Sequence, residues 1–181
     1  MTARLRAELE DARRDAHRLV DGLDDVRWSA SPAPGEWSVG QCVMHLNLTS
    51  HAFVPLLRRA VDSAPPGTAR ARMGVTGAFL WWALTLRVPV KTAEPFQPRS
   101  TEPRQGVMAD FEALQDQLLT IVDAADGRDL RHTSIASPFD PRFRYNAYAA
   151  LRIVVAHQRL HLRQAQAAAR AAKVARGVPV V

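Results

Sequence analysis

His157 and His161 stand four residues apart in the run His157-Gln158-Arg159-Leu160-His161. On a helix that spacing puts both imidazoles on one face, with Cβ atoms about 5–6 Å apart. Two such rings can converge on one metal ion. Ile153, Val154, Leu160 and Ala168 share their side of the helix, and Arg152, Arg159, Arg163 and Arg170 mark the opposite side, so the rings face a core. By itself the pair is ambiguous, because a core histidine held by a carbonyl or carboxylate gives the same pattern. Gln158 stands where a zinc protease carries its glutamate, so the general base of that motif is missing.

A third histidine changes the balance. Ser38-Val39-Gly40-Gln41 has the form of a capping box, with Trp37 placed to staple onto Cys42 one turn into the helix. The register that follows puts Cys42, His45, Leu48, Thr49, Ala52 and Leu56 on one side, making His45 an inward imidazole. Three inward histidines on two neighbouring helices match the open, three-ligand arrangement of catalytic zinc. Such a site holds a water or substrate atom in the fourth position and lowers its pKa.

Other candidates carry weaker signals. Cys42 lies one turn before His45 and could reach the metal or act as a thiol, although a buried free cysteine is usually a packing residue. Gln164, one turn beyond His161, could bind substrate or orient a ligand; the alternative is a surface amide. Asp110, Glu112 and Asp116 could supply a carboxylate behind the ligands or a base. His17, His51 and His132 read as solvent-facing, and Trp81-Trp82 as core or dimer contact.

The elements that must position these residues are helical. Thr2 to Leu23 is amphipathic, with Thr2 as a candidate N-cap and Gly22 near its end. The second helix runs from its cap to about Asp62, bent at Pro55, and Pro65-Pro66-Gly67 ends it. Thr68 to Leu86 reads as a helix apolar nearly all round, and Val88 to Pro103 as a proline-rich irregular excursion. Gln105 to Ala125 is helical up to the stop at Asp126-Gly127, and Arg128 to Tyr145 is a long connection. Asn146 caps the last helix, which ends near Gly177 and Pro179. Four long helices with no convincing strand predict an all-α four-helix bundle over residues 1–181, with 68–104 inserted between helices two and three.

Composition sets outer limits. Hydrophobic residues at 47% and charged residues at 23% are ordinary for a soluble domain. The net charge of +6 comes from arginines spread along the whole chain, without a dense basic or aromatic-interleaved patch, so a nucleic-acid partner is not expected. One cysteine excludes an intrachain disulfide. The N-terminal residues lack a signal-peptide core, and the apolar run of 13 residues from Gly74 to Leu86 is too short to span a bilayer. The expectation is a cytoplasmic protein without a membrane partner.

The stretch Trp37-Ser38-Val39-Gly40-Gln41-Cys42-Val43-Met44-His45-Leu46, followed far along the chain by His157-Gln158-Arg159-Leu160-His161-Leu162-Arg163-Gln164, resembles the DinB/YfiT-like superfamily. There a Trp-Ser opening leads into a helix bearing the first metal ligand, and H-x-x-x-H followed by Leu and Gln supplies the other two. The resemblance implies a four-helix bundle, typically dimeric, with zinc or nickel on His45, His157 and His161. It implies an S-transferase using a low-molecular-weight thiol, or a hydrolase, acting on a small electrophilic molecule. The catalytic group would be metal-bound water or thiol. The alternative is a non-catalytic metal-binding or stress-response bundle. The arginines of the long connection and of the insertion are available for an anionic substrate or thiol.

Overall fold

A computed structural model of the chain describes residues 1–67, 71–86, 92–100 and 102–174. Four long helices make the frame: α1 (Thr2–Asp21), α3 (Val39–Asp62), α5 (Arg104–Ala124) and α6 (Ala147–Val174). Short α2 (Asp25–Ser29) and α4 (Gly74–Thr85) complete the helices, with a 3-10 turn at Glu94–Phe96. Each long helix packs on two others in the ring α1–α5–α3–α6, so the consecutive helices α1 and α3 sit across the diagonal. The four-helix bundle predicted from the sequence is the observed architecture. α3 and α6, the two histidine-bearing helices, are adjacent.

Local chemistry explains how α3 begins. The Ser38 hydroxyl accepts from the Gln41 backbone N–H at 3.2 Å, and the Gln41 side-chain oxygen accepts from the Ser38 N–H at 3.0 Å. Two orphan donors are satisfied reciprocally, and the helix start is fixed. α3 then continues through Pro55 to Asp62. Its buried stripe is centred on Leu46, Phe53 and Leu57, about one residue, or roughly 100°, round from the expected register. Leu48 is exposed, and Ala52 and Leu56 are only half-buried. The reason is that α3 packs against both α5 and α6, so its stripe is wide and His45 lies on the flank towards α6.

α6 is covered on more sides than its arginines suggest. Arg152, assigned to the outer face from the sequence, is buried because Glu8 of α1 and Trp81 of α4 close over it. Its Nη1 lies 3.1 Å from Glu8 Oε2, and its guanidinium sits 5.5 Å from the Trp81 ring centroid. Asn146 caps α6 as expected, accepting from the Ala149 N–H at 2.8 Å. Thr2 does not cap α1: Met1 holds that position, and the Thr2 hydroxyl donates to Asp126 instead.

Other departures lie in the connections. The link from Arg128 to Tyr145 contains a hairpin, β1 (Ser134–Ala136) and β2 (Arg144–Asn146), antiparallel with Ile135 opposite Tyr145. Strands of three residues are too short to leave an alternating pattern, and this corrects the strand-free expectation. The helix anticipated from Thr68 starts at Gly74. The predicted features at residues 68–70 and 87–91, and the end of α6 near Gly177 and Pro179, lie outside the described residues.

The core has two apolar clusters. One gathers Leu5, Leu9, Phe53, Leu57, Leu118 and Leu151, among others; the second gathers Ala16, Trp28, Cys42, Leu46, Phe111 and Leu162. Along α6 the first ends at Val155 and the second resumes at Leu162. The two histidines of α6 fill that interval.

Candidate metal centre

His45, His157 and His161 are all buried, at 2%, 6% and 7% exposure, and their ring nitrogens form a group within 4.8 Å of one another. Ring centroids are separated by 5.0 Å for His45–His157, 4.3 Å for His45–His161 and 4.4 Å for His157–His161. The spacing of four on α6 supplies two rings, and the capped start of α3 brings the third opposite them.

Hydrogen bonding decides which nitrogens face the centre. His45 Nδ1 lies 2.7 Å from the Phe96 carbonyl. A carbonyl only accepts, so Nδ1 carries the proton and Nε2 is left with a free lone pair. That Nε2 is 3.2 Å from His157 Nε2. His161 Nδ1 has no well-formed hydrogen bond although it is buried. An ordinary core histidine would be satisfied. A tetrahedral ion with bonds of about 2.0–2.1 Å separates its nitrogen ligands by roughly 3.3–3.4 Å, close to the 3.2 Å between His45 and His157. The donor set therefore fits a divalent metal.

Burial and mutual repulsion favour the neutral form of the rings. Burial pushes His157 well below the usual histidine value, and the neighbouring His161 and His45 add to the shift. His161 is lowered to about 3, chiefly by burial and then by His45, with Gln164 opposing. His45 is lowered by burial, partly offset by the Phe96 carbonyl. Neutral imidazoles are what a metal requires.

Aromatic rings enclose the cluster. Trp37 lies 4.8 Å from His45 and 5.8 Å from His161, centroid to centroid. Its place before the Ser38 cap thus covers two imidazoles. Phe139 sits 5.6 Å from His157 and 5.1 Å from Phe96. Phe96 comes from the segment between helices two and three and Phe139 from the long connection, so both irregular stretches reach the site. Sequence reasoning named the two stretches but neither phenylalanine; a lone Phe in an irregular segment carries no periodicity to mark it.

Of the remaining candidates, only Gln164 lies next to the histidines. Cys42 is outside the histidine group, packed in the second apolar cluster with its thiol pushed up to about 12 by burial. Gln164 is exposed beside His161. The α5 carboxylates are engaged at the surface: Asp110 with His51, Glu112 with Arg13 and His17, and Asp116 with Arg13. His132 pairs with Asp129 at 2.6 Å. Among the arginines of the long connection and the insertion, Arg128 donates to the Ala64 carbonyl, Arg142 pairs with Asp140 and Arg99 with Glu94. Trp81 covers Arg152.

Comparison with known proteins places these features in a family. The family model of the DinB superfamily matches residues 8–165, which takes in all three histidines. Among solved structures, the fold is similar to YfiT from Bacillus subtilis, described as a probable metal-dependent hydrolase with an unusual four-helix bundle topology. The TM-score is 0.63 at 13% identity, covering 98% of this chain and 89% of that one. No curated protein sequence matches the chain. The matched span runs from the first long helix to one turn beyond His161, and the chain belongs to the DinB superfamily.

Proposed function

We propose that this protein is a metal-dependent enzyme in which His45, His157 and His161 hold one divalent ion, zinc or nickel, and water or a low-molecular-weight thiol attacks a small electrophilic molecule. The observation that carries this reading is the convergence of three buried imidazoles whose charged forms are all disfavoured. The YfiT fold likeness and its description as a probable metal-dependent hydrolase support the same direction.

When bound, a divalent ion supplies Lewis-acid activation, making water or a thiol nucleophilic near neutral pH. The chain's residues prepare for that role. The Phe96 carbonyl holds the His45 proton on Nδ1 and turns Nε2 inward. Trp37 and Phe139 exclude bulk water from the rings, which strengthens electrostatic interactions inside. Gln164, exposed next to His161, would donate a hydrogen bond to a substrate oxygen. Among the described residues no carboxylate joins the histidine group. Proton removal from the nucleophile therefore falls to solvent or to the substrate pair.

The test is a turnover assay on protein reconstituted with zinc or nickel, using a panel of cellular thiols and one general electrophile, with and without thiol. Metal-dependent consumption of the electrophile, abolished by a chelator, is the expected result. Thiol dependence selects the transferase, and thiol independence the hydrolase. Metal that binds without any turnover contradicts the enzymatic reading and leaves a metal-binding module.

A further inference from the structure

The two apolar clusters of the core meet at one level of the bundle, where every long helix crosses from one to the other. The change falls between Leu9 and Ala12 on α1, Leu46 and Phe53 on α3, Phe111 and Leu114 on α5, and Val155 and Leu162 on α6. Ion pairs set the same level independently. Arg13 of α1 pairs with Glu112 and Asp116, which straddle Gln115 on α5. Glu8 of α1 lies 3.1 Å from Arg152 and 3.8 Å from Arg159, which bracket Gln158 on α6.

Two glutamines occupy this level. Gln115 shares its face of α5 with Phe111, Leu118 and Val122, and Gln158 shares its face of α6 with Leu151, Val155 and Leu162. Those neighbours are all buried, and each glutamine is 1% exposed, so both amides point into the bundle. Gln158 stands between the two α6 histidines in sequence. The helical step nevertheless turns it about 100° from His157 and about 60° from His161. The position of a zinc protease's glutamate therefore faces the core and not the three imidazoles.

Neither amide has a hydrogen-bond partner among the described residues: Nε2 and Oε1 of both are buried and unpaired. Buried polar groups are nearly always paired, and each of these amides brings two donors and an acceptor with two lone pairs. The other two helices leave room for an occupant. α1 places Ala12 at this level and α3 places Ser50, both buried and both small. Leu9, Leu46 and Phe53 fill the layers on either side. Ala12, Ser50 and the two glutamines carry no charge, so a lone ion would lack its counter-charge. The occupant must be small and neutral, and must both donate and accept; water meets all three conditions. We propose that Gln115 and Gln158 hold ordered internal water between them, shared by the two amides and separate from the histidine site. That water joins α5 to α6, the helices that face each other across the diagonal of the bundle.

The test has two parts, both on the full-length chain. In a high-resolution crystal structure, at least one ordered water should lie within hydrogen-bond distance of both amides. In solution, water should give nuclear Overhauser effects to the Nε2 protons of Gln115 and Gln158, with the sign of a long-lived bound molecule. Gln158→Leu should abolish the effect at Gln115, because the shared water loses one of its two anchors. Amides bonded directly to each other, a level without water, or a Gln115 signal unchanged in Gln158→Leu overturns the proposal. The crystal structure and the wild-type spectrum decide the matter even where Gln158→Leu does not fold.

Discussion

At the scale of residues, three imidazoles are buried together, and this makes stability depend on pH. In the unfolded chain each ring takes a proton below about 6.5. In the folded, metal-free protein burial lowers all three, His157 well below that value and His161 to about 3. The unfolded state therefore binds more protons as pH falls through that window, and stability drops by roughly 1 kcal/mol per pH unit for each ring that remains neutral. Urea midpoints of chelated protein at pH 7.5 and 5 should show this loss, and His157→Gln should lessen it. Equal losses in wild type and variant would mean the rings are not held neutral. The site was legible in part because its signals are local: H-x-x-x-H needs only helical spacing, and His45 only a reliable helix start. The Phe96 carbonyl and the Phe139 ring were not legible, because they arrive through tertiary folding of irregular segments. Cys42 was a fair candidate by proximity in sequence, but one turn of α3 carries it into the apolar cluster instead.

At the scale of elements, two positions are open to direct test. Ser38→Ala removes the hydroxyl that accepts from the Gln41 N–H and should cost about 1 kcal/mol, measured by chemical denaturation. Gly77→Ala should also destabilise, by about 1–3 kcal/mol, despite the better helix propensity of alanine. The new Cβ would meet Ala149 Cβ, an atom fixed to the first turn of α6, and neither helix can yield without disturbing the pair. A stabilised Gly77→Ala variant would show that the α4–α6 approach is looser than described. Helix ends were readable where a side chain satisfies a backbone group, as at Ser38 and Asn146. They were misread at Thr2, whose hydroxyl finds Asp126 across the bundle. The three-residue strands of the hairpin are set by the chain's return to α6 and leave no pattern to read.

For the whole molecule, the bundle followed from four amphipathic stretches, but which faces are covered depends on who neighbours whom. Arg152 illustrates this: its spacing with Arg159 and Arg163 points outward, yet α1 and α4 enclose it. Glu8, with an 8% exposed side chain, answers that charge and links the first helix to the last. Glu8→Ala should cost about 3–5 kcal/mol by leaving a buried guanidinium unpaired, whereas Glu8→Leu with Arg152→Met should be close to neutral. Thermal or urea denaturation of the two variants separates the cost of breaking the pair from the value of having it. The same frame places α3 beside α6 and so brings His45 to the other two histidines.

Whether these three histidines hold a metal is read straight from metal content. Elemental analysis of the purified protein, and of protein reconstituted with zinc or nickel and then dialysed, should give about one divalent ion per chain. His157→Ala, folded by circular dichroism, should retain little or none. Wild-type protein that remains metal-free after reconstitution, or a His157→Ala variant that keeps a full equivalent, would rule out a metal held by these histidines.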